Sequence, residues 1–308
     1  MIKVAVLPVS QPEYESAVIA GGGALASLKE GATGLVWTDS QGVAALAEVL
    51  ESYQQVDWVQ LPFAGVDNFK ALFDSVLGQM RPITFTSAKG SYREPVAEHA
   101  LMLALALARA IPERLAAKTW GRKFAATLFD ANVLIVGGGG IATELIRLIK
   151  PFRPSISVVR RDVQPMMDTA RVADLDQLDD LLAKADFVFL ACALTEETRG
   201  LMNSTRFALM KDSAYLVNIA RGPVIVTDDL EAALRAGQIA GAGIDVTDPE
   251  PLPDGHTLWS TPNLIITPHS ADTPEMCVRL LSGRIASNVA NLISERPLEG
   301  VVNLEIGY

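Results

Sequence analysis

Four consecutive glycines, residues 137–140, separate an apolar run at residues 131–136 from an amphipathic stretch that follows. The GxGxxA spacing of Gly137, Gly139 and Ala142 is typical of a strand, a tight turn and a helix N-terminus. Gly137 permits the turn, Gly139 lets the backbone approach a ligand closely, and Ala142 keeps the helix packed on its strand. The free amides at the start of such a helix attract an anion. The segment therefore predicts a site for the pyrophosphate of a dinucleotide, with contacts from Gly137, Gly139, Gly140 and Ile141.

Two arginines follow the next predicted strand, where a dinucleotide site binds the ribose of its ligand. An NAD site usually carries an acidic residue there, about 20 residues beyond the glycines, which binds the ribose 2′-hydroxyl. This chain has Arg160 and Arg161 instead. Because a guanidinium group suits a 2′-phosphate, the sequence favours NADP(H) over NAD(H).

Short apolar runs alternate with helical patterns along the whole chain, which predicts an α/β fold with parallel sheets. Strands are predicted at residues 3–7, 34–37, 58–61, 82–85, 132–136, 156–159, 187–190, 214–218, 240–244 and 264–267. Helices are predicted at residues 41–52, 95–114, 142–150, 175–185, 203–209, 228–235 and 274–293. Asp228 is the predicted N-cap of its helix, with Glu231 at the capping-box position. The tail at residues 301–304 is predicted to add a strand to the first domain.

The composition indicates a folded protein of two domains. A chain of 308 residues is long enough for two packed cores, and 49% hydrophobic with 20% charged residues excludes disorder as the main state. The net charge of −10 argues against nucleic acid as the main partner. The apolar N-terminus lacks a basic leader, so it predicts a first strand rather than a signal peptide.

Membrane and metal classes are also disfavoured. The apolar segment at residues 96–111 is interrupted by charged residues such as Arg109, so it does not predict a membrane span. Cys192 and Cys277 are the only cysteines and lie far apart, which supports neither a disulfide scaffold nor a zinc site. These features predict a cytoplasmic protein without a metal.

Three residues with reactive side chains, Arg221, Glu250 and His269, each follow one of the last three predicted strands. In a doubly wound sheet, residues just past the carboxyl ends of the strands line the ligand crevice. Each residue alone also has a structural interpretation, as a solvated arginine, a loop carboxylate or a hydrogen-bonded histidine. Their occurrence at three successive strand ends downstream of a dinucleotide turn favours a catalytic set. His99, by contrast, lies in a predicted helix among apolar residues, where packing or a structural hydrogen bond is expected.

The chemistry of 2-keto acid reduction gives each of these three residues a task. His269 is the candidate acid, because histidine titrates near neutrality and a proton must reach the carbonyl oxygen. Glu250 would orient the imidazole ring, and Arg221 would bind the substrate carboxylate. Backbone amides of a tight loop in the first domain are also expected to bind the carboxylate. The best candidate for that loop is Ala64, Gly65 and Val66.

Taken together, these segments resemble the D-isomer-specific 2-hydroxyacid dehydrogenase family over nearly the whole chain. The matching pieces beyond the fingerprint are Ala64-Gly-Val-Asp67, Pro95-Val-Ala-Glu98, Leu194-Thr-Glu-Glu-Thr198-Arg-Gly-Leu201, Val217-Asn-Ile-Ala-Arg-Gly222, Asp245 with Glu250-Pro251, and Thr267-Pro-His269. The resemblance implies two doubly wound parallel-sheet domains. A Rossmann cofactor domain, residues 95–274, would be inserted into a flavodoxin-like substrate domain, residues 1–94 plus 275–308.

The resemblance also implies roles for particular residues and an oligomeric state. It assigns catalysis to Arg221, Glu250 and His269, and it implies a homodimer held through the cofactor domains. Ala193 stands where relatives often have proline, beside the nicotinamide. The cofactor contacts that it implies beyond the glycine turn are Ala193, Leu194, Thr198, Ala220 and Asp245.

The leading functional hypothesis is reduction of a small 2-keto acid, such as glyoxylate or hydroxypyruvate, with NADPH. The short first domain resembles the glyoxylate/hydroxypyruvate reductase branch of the family. An alternative is a phosphoglycerate dehydrogenase-like enzyme that uses NAD, which would need a cationic pocket with Lys89 and Arg93 as the nearest candidates. A second alternative is a non-catalytic, dinucleotide-sensing interaction protein, since fold and function are separable.

Overall fold

The computed structural model describes residues 1–39, 42–78 and 81–304, and the chain divides into two compact units. The terminal unit comprises Met1–Tyr92 and Thr273–Tyr308, and the central unit comprises Arg93–Asp272. The predicted helix start at Gln41 lies outside the described residues.

The strands are β1 Lys3–Leu7, β2 Ala24–Leu25, β3 Gly34–Trp37, β4 Trp58–Gln60, β5 Thr84–Thr86, β6 Asn132–Val136, β7 Ser155–Val159, β8 Arg171–Ala173, β9 Phe187–Leu190, β10 Tyr215–Asn218, β11 Gly241–Ile244 and β12 Leu264–Ile266. The α-helices are α1 Pro12–Ala20, α2 Val43–Ser52, α3 Lys70–Gly78, α4 Arg93–Ala108, α5 Ile111–Ala116, α6 Gly140–Ile149, α7 Leu178–Leu182, α8 Ser204–Leu209, α9 Thr227–Arg235 and α10 Pro274–Ile293.

The terminal unit is built on a parallel sheet with the strand order β2-β1-β3-β4-β5, which is the flavodoxin-like order. Its strands are apolar because helices cover both faces of such a sheet, and Val4, Leu35 and Val59 are fully buried. Helix α1 packs closely on α10. A Cβ atom at Gly21, just past α1, would lie 2.6 Å from the carbonyl oxygen of Ala286, so the two helices can meet only with glycine there.

A buried polar network joins α10 to this sheet. Asn288, which is fully buried, donates from Nδ2 to Gln60 Oε1 at 3.2 Å and exchanges two hydrogen bonds with the backbone of Glu299. Thr86 Oγ1 donates to the same Gln60 oxygen at 2.9 Å and accepts from Trp58 Nε1 at 2.9 Å. Because these buried polar groups are hydrogen-bonded to one another, the network fixes the register between helix and sheet without an orphaned polar group.

The central unit contains a seven-stranded parallel sheet with the order β12-β11-β10-β9-β6-β7-β8. Read from β8, this is the Rossmann order with one further strand. The predicted fold class, two doubly wound parallel-sheet domains, is confirmed. The register aligns the ends of the strands at one edge: Val136 pairs with Val159 and with Leu190, and Asn218 pairs with Ile244.

The predicted single helix at residues 95–114 is wrong, because the structure breaks it into α4 and α5. Ala110 adopts a left-handed backbone, with φ of 52°, between the two helices. The cause is Pro112. In a continuous helix its ring would clash with the carbonyl group four residues earlier, which here belongs to Ala108. That carbonyl oxygen accepts instead from the amide of Ala126 at 2.7 Å.

Smaller differences concern helix starts and short strands. The predicted N-cap Asp228 is wrong: Val226 occupies the N-cap of α9, and Asp228 lies in the first turn, where its charge suits the positive end of the helix. Glu231 accepts from Arg235 Nε at 2.8 Å instead of closing a capping box. The predicted tail strand is reduced to one antiparallel bridge between Thr86 and Val301. The predicted helix at residues 175–185 is a 3-10 turn followed by the short α7, and β2 and β8 were not predicted.

Candidate active site

The glycine turn lies at the carboxyl end of β6, in the middle of the central sheet. Gly137 has φ of 113°, and a Cβ atom there would lie 2.4 Å from the carbonyl oxygen of Ala191, so no other residue fits. Gly139 is the N-cap of α6, and a Cβ atom there would meet nothing within 4 Å. Gly140 and Ile141 form the first turn of the helix, whose leading amides have no intrahelical acceptor. A turn of this shape, with open space above Gly139, fits a dinucleotide pyrophosphate.

Arg160 and Arg161 directly follow β7, the neighbour of β6, so they lie at the same edge as the glycine turn. The amide of Arg160 donates to the carbonyl oxygen of Ala173 at 2.9 Å, which fixes the backbone of the residue against β8. Its guanidinium Nη2 stands 3.9 Å from Asp162 Oδ2, a loose ion pair, and Arg161 is exposed. Both charges are therefore near the turn at the position where a ribose is bound in such sheets.

The loop after β9 is closed by the hydroxyl group of Thr198. This hydroxyl donates to the carbonyl oxygen of Ala193 at 2.7 Å and accepts from the amide of Thr195 at 2.8 Å. Thr198 is buried and Leu194 packs on the core of the central unit, whereas Ala193 is exposed. Thr198 thus shapes the loop, and the contacts of Ala193, Leu194 and Thr198 with a cofactor stay predictions.

Cys192 lies at the start of this loop, beneath the glycine turn. A Cβ atom at Gly137 would lie 2.8 Å from the amide nitrogen of Cys192. Burial raises the pKa of the Cys192 thiol to about 11, so the thiol stays protonated at neutral pH. Its side chain packs against the hydrophobic core of the central unit.

The three predicted catalytic residues follow β10, β11 and β12, which are adjacent in the sheet. The loops after β10 and β11 touch: a Cβ atom at Gly222 would lie 1.8 Å from the carbonyl oxygen of Thr247. Gly222 directly follows Arg221, and Thr247 donates its amide to Glu250 Oε2 at 3.3 Å. Because Gly222 has no side chain, the loops that carry Arg221 and Glu250 can lie in contact.

His269 and Glu250 form a direct pair. Nδ1 of His269 stands 2.7 Å from Oε1 of Glu250, and both side chains are partly exposed. His269 has a left-handed backbone, with φ of 51°, and its amide donates to the carbonyl oxygens of Asp245 at 2.8 Å and Thr267 at 3.0 Å. With Nδ1 against the carboxylate, Nε2 is the other ring nitrogen, and the predicted proton exchange with substrate would use it.

Arg221 is held by Asn218, a residue that the sequence reasoning did not single out. The fully buried Asn218 side chain donates to the carbonyl oxygen of Arg221 at 3.1 Å and accepts from the amide of Ala220 at 3.0 Å. Arg221 itself donates from Nη1 to the carbonyl oxygen of Ala220 at 2.7 Å. The position of Asn218 at the end of a strand was the available sequence signal, because a buried amide there must satisfy the turn that follows.

Asp245 supports the loop that carries His269. Its side chain is 2% exposed; Oδ1 accepts from the Thr267 hydroxyl at 2.6 Å and the Ser270 amide at 2.9 Å, and Oδ2 accepts from the Ala271 amide at 3.1 Å. Nε2 of His99 lies 2.9 Å from the Thr267 hydroxyl and 3.3 Å from Oδ1 of Asp245. Burial opposes the charged form of Asp245, but the hydrogen bonds from His99, Thr267 and the two amides outweigh it and lower its pKa.

The predicted substrate loop follows β4 in the terminal unit. Val66 is buried, and its carbonyl oxygen accepts from the amide of Phe69 at 2.9 Å, while Ala64 and Gly65 are half-buried. The short 3-10 turn thus holds the loop closed, and its part in substrate binding stays a prediction.

Residues 100–271 match the family model of the D-isomer specific 2-hydroxyacid dehydrogenase NAD binding domain. The chain belongs to the D-isomer specific 2-hydroxyacid dehydrogenase family. A glyoxylate reductase of Thermofilum pendens is 30% identical over 272 residues, which cover 84% of this chain and 78% of that enzyme. The human glyoxylate reductase/hydroxypyruvate reductase is 35% identical over 178 residues, 58% of this chain and 54% of the human protein. A D-isomer specific 2-hydroxyacid dehydrogenase from Xanthobacter autotrophicus Py2, solved in complex with NADPH and MES, has a TM-score of 0.84 at 25% identity, over 100% of this chain and 99% of that chain.

Membership of this dehydrogenase family establishes the coarse activity. The chain is an oxidoreductase of the 2-hydroxyacid dehydrogenase type, with a nicotinamide cofactor. In the part of the chain that the structure describes, no helix combines the length and the apolar character that crossing a membrane requires.

Proposed function

We propose that this dehydrogenase reduces a small 2-keto acid, such as glyoxylate or hydroxypyruvate, with NADPH. The observation that carries the proposal is the 2.7 Å pair between His269 and Glu250 at the sheet edge where Arg221 follows β10. In this proposal the domain at residues 95–274 holds the cofactor, and residues 1–94 with 275–308 form the substrate domain. The names of the relatives from Thermofilum pendens and human support the choice of keto acid.

The proposed mechanism assigns the proton to His269. When bound, the nicotinamide supplies the hydride that reaches the carbonyl carbon of the substrate. His269 donates a proton from Nε2 to the carbonyl oxygen, and in the reverse direction it accepts that proton. Glu250 accepts a hydrogen bond from Nδ1, which holds the ring in one orientation and stabilises the positive charge of the protonated imidazole.

Substrate binding is assigned to a cation and to backbone amides. Arg221 presents a planar guanidinium group that suits a carboxylate, and its positive charge stabilises negative charge on the carbonyl oxygen. The amides of Ala64, Gly65 and Val66 would bind the substrate carboxylate as well. Asn218 supports this role because it fixes the backbone that carries Arg221.

The proposed cofactor contacts include residues for both ends of the dinucleotide. The glycine turn, with Gly137, Gly139, Gly140 and Ile141, would hold the pyrophosphate, and Arg160 and Arg161 the 2′-phosphate of NADPH. The NADPH complex of the Xanthobacter enzyme supports the preference for the phosphorylated cofactor. The proposed contacts near the nicotinamide are Ala193, Leu194, Thr198, Ala220 and Asp245.

We also propose a cytoplasmic homodimer. Leu115 and Trp120 are 80% and 91% exposed in the segment that precedes β6, and large apolar side chains so exposed suit a subunit interface. Size-exclusion chromatography with light scattering would give the mass of a dimer; a monomeric mass at micromolar concentration would contradict this assignment. Both cysteines are free thiols, which suits a reducing compartment.

The decisive experiment is a panel of 2-keto acids assayed with NADPH and with NADH by loss of absorbance. The panel contains glyoxylate, hydroxypyruvate, pyruvate and a branched-chain keto acid, and 3-phosphoglycerate is assayed with NAD in the opposite direction. Fastest turnover of a small keto acid with NADPH supports the proposal. Turnover only of 3-phosphoglycerate with NAD would replace it with the phosphoglycerate alternative. Tight NADPH binding with no turnover across the panel would favour the dinucleotide sensor.

A further inference from the structure

Gly138 is a glycine that the dinucleotide fingerprint does not explain. The GxGxxA pattern requires small residues at Gly137, Gly139 and Ala142 and leaves the position between the first two glycines free. Gly138 is not among the glycines with a positive φ, so its backbone conformation does not require glycine either. The absence of a side chain at this position must therefore be explained by a residue that packs against it.

That neighbour is Arg160. A Cβ atom at Gly138 would lie 2.6 Å from Cδ, 2.9 Å from Nε and 3.2 Å from Cζ of Arg160. The arginine side chain therefore lies across the turn and fills the space of the missing side chain. The adjacent Gly139 differs, because a Cβ atom there would meet nothing within 4 Å.

The backbones on either side hold this arrangement in register. The amide of Gly137 donates to the carbonyl oxygen of Val159 at 2.8 Å, and the amide of Arg160 donates to Ala173 at 2.9 Å. The turn and the start of the Arg160 side chain are thus fixed relative to each other by the sheet. The outer part of the side chain is less constrained, since the ion pair with Asp162 is 3.9 Å long. A long pair of this kind contributes little to holding a side chain.

We propose that Gly138 is a cofactor-specificity residue, whose missing side chain leaves the room in which Arg160 lies ready for the 2′-phosphate of NADPH. This inference rests on the proposed function, because it assumes that Arg160 binds that phosphate. Cofactor selectivity would then depend on a pair of residues: Arg160 supplies the charge and Gly138 supplies the space. A larger residue at position 138 would displace the end of a flexible side chain and leave the backbone in place, so cofactor preference would change while the fold would not.

The test is a double-mutant cycle read by binding, with isothermal titration of NADPH and NADH into the unmodified protein, Gly138→Ala, Arg160→Ala and the double variant. Gly138→Ala is expected to weaken NADPH binding by about tenfold, the size of one charge-assisted hydrogen bond, and to leave NADH binding unchanged. In the Arg160→Ala background the same substitution is expected to have no further effect on NADPH. Gly283→Ala, at a glycine with nothing within 4 Å of its Cβ position, is the matched control.

The outcomes separate this inference from the function on which it rests. If Arg160→Ala weakens NADPH binding but Gly138→Ala does not, the role of Gly138 is overturned while the NADPH assignment stands. An equal loss for NADPH and NADH, or the same loss with and without Arg160, would also overturn it. If Arg160→Ala leaves NADPH binding unchanged, both fail. Thermal unfolding of each variant identifies a loss of cofactor binding that comes from misfolding. Gly138→Ser serves as a second substitution at the same position.

Discussion

Nδ1 of His269 and Oε1 of Glu250 stand 2.7 Å apart, although 19 positions separate the two residues in the chain. They are carried by the loops after β12 and β11, which are neighbours in the sheet, so the parallel order of the strands brings them together. Nδ1 is the ring nitrogen that faces the carboxylate, and in the proposed mechanism Nε2 meets the substrate. The proton-transfer role of the imidazole can therefore be tested separately from the orienting role of the carboxylate.

Replacing His269 with alanine should remove the proton donor and leave cofactor binding largely intact. General acid catalysis contributes about 10²- to 10⁴-fold, so kcat should fall by about that factor. Keto-acid reduction followed by NADPH absorbance measures kcat, and isothermal titration measures the Kd for NADPH. Unchanged turnover with His269→Ala would exclude it from the acid role.

Replacing Glu250 with glutamine keeps an acceptor oxygen but removes the negative charge opposite the imidazole. A charge-assisted hydrogen bond is worth about 1.5–3 kcal/mol, and the partial exposure of this pair favours the lower end, so kcat should fall by about tenfold. Glu231→Gln, which alters a carboxylate paired with Arg235 on α9, is the matched control and should leave kcat unchanged. Equal kcat values for the two variants would argue that Glu250 does not act through the imidazole.

Replacing Gly222 with alanine should disrupt the contact between the loops of Arg221 and Glu250. The added Cβ atom would lie 1.8 Å from the carbonyl oxygen of Thr247, and backbone on both sides has to move. Overpacking of this kind costs about 1–3 kcal/mol, so the midpoint of thermal unfolding should fall and turnover should drop with it. Gly283→Ala, inside α10, where a Cβ atom meets nothing within 4 Å, should not lower the midpoint, because alanine is favoured over glycine in a helix interior. A normal midpoint for Gly222→Ala would contradict the close contact.

Much of this fold could be predicted from the sequence because parallel strands are buried on both faces. Continuous apolar runs such as β1, β6 and β9 therefore stand out at their true boundaries. The proximity of His269 and Glu250 was also predictable in outline, since parallel strands end at one edge of a sheet. The break after α4 could have been recognised at Pro112, because a proline ring excludes the helical carbonyl four residues earlier.

Other features depend on side-chain geometry that no pattern encodes. The strands β2 and β8 have two and three residues and lie at sheet edges, where pairing and not an apolar run defines them. The anchoring of the His269 loop by Asp245 depends on one carboxylate meeting a hydroxyl and two amides in three dimensions. The position of Arg160 over Gly138 depends on the register between β6 and β7 and on a side-chain rotamer.

Replacing Arg160 with aspartate should shift cofactor preference from NADPH towards NADH. The change removes a cation near the ribose position and supplies the acidic residue that usually binds a 2′-hydroxyl there. The loss of one charge-assisted hydrogen bond, about 1.5–3 kcal/mol, should weaken NADPH binding by about tenfold or more. The ratio of kcat/KM for the two cofactors measures the shift. Arg171→Asp, at the exposed start of β8, is a control for charge alone; an equal shift there, or none in Arg160→Asp, would contradict the assignment.

Replacing Asp245 with asparagine should destabilise the central unit in a pH-dependent way. Asparagine keeps one acceptor oxygen but sets its NH₂ group against an amide donor such as that of Ala271, and an unsatisfied buried group costs about 1–3 kcal/mol. Because the pKa of Asp245 is lowered in the folded state, its carboxylate contributes stability above its ordinary value of 3.8, and this contribution is lost as the pH falls through the lowered pKa. The difference in urea unfolding free energy between the two proteins should therefore be largest near neutral pH and shrink below pH about 4. Asp254→Asn, in an exposed turn, should show no such difference at any pH. A destabilisation by Asp245→Asn that stayed constant from neutral pH into acid would mean that the charge of Asp245 does not stabilise the loop that carries His269.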